Sequence, residues 1–260
     1  MIISIKEKLF WLEKFYFFSI HGNDSKRFLN GLTTTNMNTI QSICITCWLT
    51  PTGSLRSLLE IHEQSENFKI LVLQGDVNEL KKYFEQIIFP SDDVSLTEIC
   101  QTYRIQEISN TKSWRDFPAT LLSEQDKEKF YNQNKKEIKN DDNLKEWKIN
   151  QGFPVFNKEI DGNTNPLELG LVDLIDFKKG CYLGQEKIAR LKNAAPLKQE
   201  IRVWKSDKLI NNFEIDDKKI YLNKNKEKIV GFISSYLEIN SNEICGLAMI
   251  KKNYLNINSF

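Results

Sequence analysis

The chain has 260 residues, of which 40% are hydrophobic and 16 are phenylalanine, so it can bury one large core or the cores of two domains. Its 36 Lys and Arg residues nearly balance 35 Asp and Glu residues, which gives none of the excess positive charge typical of nucleic-acid-binding proteins. The sequence contains no apolar run of about 18 residues and its start lacks the features of a signal peptide. We therefore expect a cytoplasmic protein without a membrane span.

Cysteine and histidine usage predicts neither a disulfide scaffold nor a metal site. The cysteines are five, an odd number, and no group of them has the spacing of a zinc or iron–sulfur site. Cys44 and Cys47 have CxxC spacing but lie in a β-type run, where they would point to opposite faces of a sheet. Cys100 and Cys245 lie in apolar runs and are expected in the core. Neither histidine has an evident Ser or Cys partner.

The first half of the chain alternates strand and helix patterns. Asp24 is the predicted N-cap of a short helix that ends at Gly31. Apolar periodicity predicts strands at 43–49, 54–62, 68–73 and near 94–100, and a helix at 77–87. This mixture predicts an α+β fold built from ferredoxin-like split βαβ units.

The second half begins with a charge-rich region at 122–149, which is typical of a solvated helix or a connection. Ala194, Ala195 and Pro196 predict a linker. Beyond it, turn residues separate short strand patterns, which predicts a small C-terminal β-barrel with strands at 201–204, 219–222, 229–235 and 244–250. We therefore expect a first domain at 1–195 and a second at 196–260.

Residues 177–190 concentrate reactive side chains around two glycines. Gly180 and Gly184 predict a turn that leads into a helix starting near Gln185. A helix N-terminus presents free N–H groups and a partial positive charge to whatever binds there. Each residue taken alone has an ordinary structural explanation, and only the cluster favours a function.

The octapeptide at 179–186, Lys-Gly-Cys-Tyr-Leu-Gly-Gln-Glu, resembles the K-G-C-Y-x-G-Q-E signature of the folate-binding YgfZ family. That family is a branch of the aminomethyltransferase-like superfamily, which includes the glycine-cleavage T-protein. Weaker elements resemble the family in the same order, at 22–34, 51–53, 151–154, 166–168 and 230–235.

The resemblance implies a cleft that binds tetrahydrofolate or a derivative of it. It also implies a role in the assembly or repair of iron–sulfur enzymes, including enzymes that modify tRNA. These client enzymes would be transient partners of a monomer that binds neither membranes nor nucleic acid directly.

The resemblance also implies roles for individual residues. The motif residues are Lys179, Gly180, Cys181, Tyr182, Gly184, Gln185 and Glu186. Cys181 is the expected reactive thiol, and Lys179 and the nearby helix N-terminus would stabilise its thiolate. The alternative is an inward-facing Cys181, with Lys179 and Glu186 fixing the loop. The residues expected to contact folate are Glu186, Arg190, Lys148 and Tyr182, and Arg190 could instead pair with Glu186 at i,i+4.

Two departures from the superfamily narrow the chemistry. Arg56 and Ser57 stand where the T-protein has its catalytic Asp, so aminomethyl transfer is not expected. Lys148 stands where the T-protein has Arg, which keeps the charge but loses the bidentate fork. Three classes stay open: a folate-binding accessory protein, a folate-dependent one-carbon transferase and a thiol-based redox protein.

Overall fold

The structure is a computed structural model that describes residues 9–65, 67–109, 113–116, 119–193, 197–207, 218–222 and 227–256. These residues form two antiparallel sheets and the helices that pack on them. The first sheet contains β1 (Leu9–His21), β2 (Ile43–Leu49), β3 (Leu55–Gln64), β4 (Asn67–Gln74), β5 (Ser95–Leu96), β6 (Cys100–Ile108) and β7 (Thr120–Leu122). The second contains β8 (Gln199–Asp207), β9 (Lys219–Tyr221), β10 (Ile229–Glu238) and β11 (Glu243–Lys251). The helices are α1 (Ser25–Leu32), α2 (Val77–Ile87), α3 (Glu124–Asn134), α4 (Asp141–Asn150) and α5 (Gln185–Asn193).

The larger sheet has the strand order β2-β3-β4-β1-β6-β7, with β5 paired to β1. Because successive strand residues point to opposite faces, the sheet has a separate hydrophobic cluster on each side. We call the side whose cluster includes Trp11, Leu71 and Tyr182 the motif face. The other side, whose cluster includes Ile61 and Phe84, is the helix face.

The strongest sequence patterns are confirmed. Strand β2 and helix α2 have the predicted bounds, and β3 and β4 differ from prediction only at their ends. The Asp76 side chain caps α2 by accepting from the N–H groups of Asn78 and Glu79 at 2.8 and 3.1 Å. The apolar positions Val77, Leu80 and Phe84 of α2 are buried, as its helical spacing requires.

One local prediction is wrong, and another, that Asp24 is the N-cap of α1, is confirmed for its position but not for its side-chain hydrogen bond. The strand expected near 94–100 is two strands, a two-residue β5 and the start of the longer β6. Asp24 precedes α1 but its side chain makes no capping hydrogen bond to the helix. That carboxylate accepts instead from the backbone N–H of Asp93 at 3.0 Å, which fixes the segment before β5.

The charge-rich region 122–149 contains α3 and α4, which pack very differently. Helix α3 buries none of its residues, as its composition predicts. Helix α4 buries Leu144, Trp147 and Ile149. Ile149 packs with Cys245 and Leu247 of β11, so α4 joins the two sheets.

The second sheet has the order β8-β11-β10-β9 and is open over the described strands. An α+β arrangement with antiparallel sheets is therefore confirmed, whereas these strands do not show the predicted C-terminal barrel. The predicted linker at Ala194–Pro196 lies outside the described residues. Met249 of β11 belongs to the core cluster of the motif face, and Ile201 donates its N–H to the carbonyl of Glu168 at 2.8 Å. In the described part of the chain, no helix is both long enough and apolar enough to cross a membrane.

Candidate functional site

The motif turn lies across the connection between α1 and β2. The Thr34 hydroxyl donates to the carbonyl of Leu174 at 2.7 Å, and Asp176 donates its N–H to the carbonyl of Thr34 at 2.9 Å. Further along, Leu183 donates its N–H to the carbonyl of Gly31 at 3.1 Å. The turn is thus held by backbone groups more than a hundred residues away in the sequence.

Lys179 makes three further hydrogen bonds between the motif turn and the end of α1. It is buried, and its Nζ donates to the carbonyls of Asn30, Thr33 and Thr35 at 2.6, 2.7 and 2.8 Å. An ammonium has three N–H donors, so these three carbonyls use all of them. Burial lowers the Lys179 pKa to about 8, although the carboxylate of Asp176 opposes that change. Lys179 therefore fastens the turn to the end of α1, and direct donation to Cys181 is not part of this geometry.

Gly184 brings the motif turn against the turn between β2 and β3. Its φ is +81°, and a Cβ atom there would lie 2.5 Å from the carbonyl oxygen of Thr50. A side chain is excluded both by this backbone conformation and by the lack of space. Gly180 is different, because a Cβ there would meet nothing within 4 Å. The second glycine of the motif is therefore required by packing, and the first is not.

Tyr182 also points inward. Its ring lies in the core cluster of the motif face, and the Lys179 Nζ lies 5.2 Å from its centroid. Burial raises the Tyr182 pKa to about 12, so its phenol stays protonated. The hydroxyl is buried and has no hydrogen-bond partner among the described residues.

The remaining motif side chains point outward. Gly180, Cys181 and Glu186 are exposed, and Gln185 is partly exposed at the first turn of α5. Arg190 is also exposed, and no ion pair joins it to Glu186, although both residues lie within the described helix. The motif thus divides into a buried half that anchors the turn and an exposed half that presents a thiol.

The four expected folate contacts are not brought together in one cluster. Lys148 lies at the end of α4, where its Nζ contacts Glu13 Oε2 at 2.5 Å and lies 4.6 Å from the ring centroid of Trp11. Burial lowers the Lys148 pKa, although the Glu13 carboxylate opposes that change. Tyr182 belongs to the same core cluster as Trp11, whereas Glu186 and Arg190 lie on the exposed side of α5.

A buried ionic cluster on the motif face was missed by the sequence reasoning. The Nε and Nη2 atoms of Arg104 donate to Glu60 Oε2 at 2.8 and 2.7 Å. His62 Nε2 lies 2.7 Å from Glu60 Oε1, and the Arg104 guanidinium lies 4.5 Å from the Trp11 centroid. Burial alone would raise the Glu60 pKa, but hydrogen bonds from His62 and Arg104 and the guanidinium charge hold it below its usual value.

One signal in the sequence could have revealed this cluster. Glu60 and His62 alternate with the apolar residues Leu59 and Ile61 within a strand. All four are buried, so the polar pair must face the other side of the sheet and find partners there.

Arg56 and Ser57, which the resemblance matched to the T-protein's catalytic Asp, are engaged in contacts of their own. The Arg56 guanidinium pairs with the carboxylate of Glu79 and lies 5.1 Å from the Trp48 centroid. Ser57 is buried, and a Cβ at Gly75 would lie 2.1 Å from its Oγ. The carboxylate at this place is therefore that of Glu79, and it is paired with the Arg56 guanidinium.

The other cysteines differ in exposure from Cys181 and from one another. Cys47 lies in the core cluster of the motif face and Cys44 packs against that of the helix face, so the prediction of opposite faces is confirmed. Burial raises the pKa of both thiols to about 12. Cys245 is buried as predicted, but the prediction for Cys100 is wrong, because it is exposed at the start of β6.

No protein-family model matches the chain. Two proteins named tRNA-modifying protein YgfZ are similar to it. The one from Buchnera aphidicola subsp. Baizongia pistaciae is 27% identical and covers 94% of this chain and 87% of its own. The one from Buchnera aphidicola subsp. Schizaphis graminum is 27% identical over 73% of this chain and 70% of its own. The resemblance identified from the motif is therefore confirmed.

The fold is similar to that of a solved enzyme. The crystal structure of glycine cleavage system aminomethyltransferase T from Bartonella henselae matches with a TM-score of 0.68. The match covers 95% of this chain and 79% of the enzyme at 10% sequence identity, so it concerns the fold alone.

Proposed function

We propose that this protein binds tetrahydrofolate and supports the assembly or repair of iron–sulfur enzymes, including enzymes that modify tRNA. In this proposal the exposed thiol of Cys181 is the reactive group of the protein. Similarity to proteins named tRNA-modifying protein YgfZ supports the role. The resemblance of the motif to the folate-binding family, together with the fold shared with an aminomethyltransferase T, supports folate binding. The observation on which the proposal depends most is the exposed thiol of Cys181 on a turn that is anchored by Lys179 and packed closely at Gly184.

The thiol chemistry follows from the division of the motif. Cys181 stands just before α5, whose N-terminus favours a negative charge. The ammonium of Lys179 is buried and donates to the carbonyls of Asn30, Thr33 and Thr35, so its part is to anchor the turn that presents the thiol. The exposed thiol of Cys181 would then meet a persulfide, an oxidant or a cluster-bearing client, with which cysteine reacts through its thiolate.

Folate would bind on the motif face. Tyr182 and Lys148 both adjoin the aromatic cluster there and are the better supported of the four expected contacts. Glu186 and Arg190 would contact the ligand only where it extends past α5. An anionic folate needs cationic partners. The Lys148 ammonium contacts the Glu13 carboxylate at 2.5 Å, so in this proposal it would exchange that partner for a folate carboxylate.

Two alternatives have less support. A folate-dependent one-carbon transferase needs the acid that Arg56 and Ser57 replace, and the pairing of Arg56 with Glu79 leaves its guanidinium already engaged. A thiol-based redox protein needs a resolving group, and Cys181 has no second cysteine near it in the sequence.

We also propose a ferredoxin-like unit in the first sheet and a separate C-terminal domain. The order β6-β1-β4-β3, with α1 after β1 and α2 after β4, supports a ferredoxin-like unit extended by β2. The separate second sheet supports a division into domains at 1–195 and 196–260, the second completed as a barrel. We also propose a monomer that meets its clients transiently, with no direct contact to membranes or nucleic acid.

Calorimetric titration with tetrahydrofolate tests the proposal and separates the three classes. We expect saturable binding below about 1 mM, the upper end of ordinary substrate affinities, in the natural protein and in Cys181→Ala. In cells, Cys181→Ala should lose the ability to support iron–sulfur enzyme activity. Turnover of a folate one-carbon donor would contradict the proposal in favour of a transferase. Failure to bind any reduced folate would contradict it in favour of thiol chemistry alone.

A further inference from the structure

A groove of about 340 Å³ opens beside β1, β4, β6 and the start of α3, away from the motif turn. Its principal lining side chains are Lys14, Phe17, Lys69, Gln101, Tyr103 and Glu124. A volume of this order holds part of a small ligand rather than an ordered water or two.

The two lysines of the groove lack acidic partners. Lys69 Nζ lies 4.5 Å from the ring centroid of Phe17, and Lys14 Nζ lies 5.6 Å from that of Tyr103. Within the described residues, neither ammonium forms an ion pair with a carboxylate. The nearby Glu124 carboxylate accepts from the Tyr103 hydroxyl at 3.1 Å and lies 3.9 Å from Lys127, so other groups engage it. The groove therefore holds uncompensated positive charge.

A second groove provides a comparison in which the charge of the lysine is neutralised by a carboxylate. It has a volume of about 290 Å³ and is lined by Lys26 and Glu63, among others. There the ammonium of Lys26 contacts the carboxylate of Glu63 at 2.9 Å. The lysine of that groove is neutralised within the chain, which is not true of Lys14 and Lys69. The difference points to an anionic ligand for the first groove.

We propose that the first groove binds the γ-linked glutamate tail of reduced folate, with Lys14 and Lys69 holding its carboxylates. The proposal rests on the proposed folate-binding function. Phe17 packs against the core cluster that contains Tyr182, which places the groove beside the motif face. Ammonium–carboxylate hydrogen bonds are charge-assisted, and the Gln101 amide can contact the tail's peptide-like links. The rings hold both ammonium groups in the groove before the ligand arrives.

Calorimetry with two ligands tests the assignment: tetrahydrofolate with one glutamate and tetrahydrofolate with three. We expect the longer tail to bind about tenfold more tightly, because its two added carboxylates are the ones that reach Lys14 and Lys69, and each gains a partly screened ion pair. The advantage should shrink as salt rises. In Lys14→Gln/Lys69→Gln, the ratio should fall to within about twofold. Lys129→Gln/Lys145→Gln is the matched control, since these exposed lysines on α3 and α4 lie outside the groove.

The outcomes separate this inference from the folate function itself. Equal affinity of both ligands for the natural protein would overturn the tail site while folate binding stood. A tenfold ratio that persists in the double variant would also overturn it, because the tail would then bind elsewhere. If neither ligand binds, both the inference and the proposed function fail. If the double variant folds poorly, the single variant Lys69→Gln repeats the test. In that variant the ratio between the affinities for the two ligands should fall from about tenfold to about threefold, because one of two ion pairs is lost.

Discussion

Replacing Lys179 by Met should destabilise the protein far more than replacing its neighbour Lys178. Methionine fills similar space but donates nothing, so the carbonyls of Asn30, Thr33 and Thr35 would lose their shared donor. Lys178 is exposed, and its ammonium contacts no acid among the described residues. The pair of substitutions therefore compares a buried lysine with an exposed lysine in the same turn.

The magnitude follows from two opposing effects. Each charge-assisted hydrogen bond contributes roughly 1.5–3 kcal/mol, so three of them contribute about 5–9 kcal/mol. The fall of the Lys179 pKa from 10.5 to about 8 reflects the penalty for burying the ammonium, which corresponds to about 3 kcal/mol. The difference predicts that Lys179→Met lowers the free energy of unfolding by about 2–6 kcal/mol. Lys178→Met should leave it almost unchanged.

Urea unfolding at pH 7, followed by intrinsic tryptophan fluorescence, measures both changes. The same unfolding experiment is then repeated at several pH values for the natural protein and for Lys179→Met. Because the folded-state pKa of Lys179 lies below 10.5, the unfolded chain binds more protons between about pH 8 and 10.5. The stability of the natural protein relative to Lys179→Met should therefore rise across that window. Equal effects of Lys179→Met and Lys178→Met would refute the anchoring role.

Three further predictions concern other parts of the site. Gly184→Ala should lower the free energy of unfolding by about 2–4 kcal/mol, because its positive φ strains a residue with a side chain and the added Cβ would clash with backbone. Gly180→Ala should leave that free energy almost unchanged, because a Cβ there meets nothing within 4 Å. Equal urea unfolding midpoints for the two variants would contradict this. The Glu60 pKa is below 4.5, so its ion pair stabilises above that pH and is lost as pH falls. Acid unfolding followed by circular dichroism should accordingly be steeper for the natural protein than for Glu60→Gln, and identical curves would argue against the pair. Native alkylation followed by mass spectrometry should modify Cys181 rapidly and Cys47 only after denaturation; the reverse order would show that the turn faces inward.

Sequence reasoning succeeded where a local pattern determines the structure. Helix α2 combines a capping Asp76 with regular apolar spacing, and both features act within a few residues. Strand β1 was not predicted because it packs on both faces and shows no clean alternation. Cys100 was misplaced because its exposure depends on where β6 starts, which its apolar neighbours do not indicate.

The site was harder to predict because its contacts join distant parts of the chain. The octapeptide identified the turn and its glycines, but not which side chains point inward. Lys179 contacts carbonyls 144–149 residues earlier, and Arg104 meets Glu60 across 44 residues. Only the fold brings these groups together, so the lysine read as a thiolate partner is found to be an anchor.

A crystal structure of the protein soaked with tetrahydrofolate tests the central claim most directly. We expect the pterin to lie on the motif face near Tyr182 and Cys181, with the glutamate tail directed toward Lys14 and Lys69. Ligand density on the helix face, beside α1 and α2, would contradict it. So would crystals that show no bound folate at millimolar concentration.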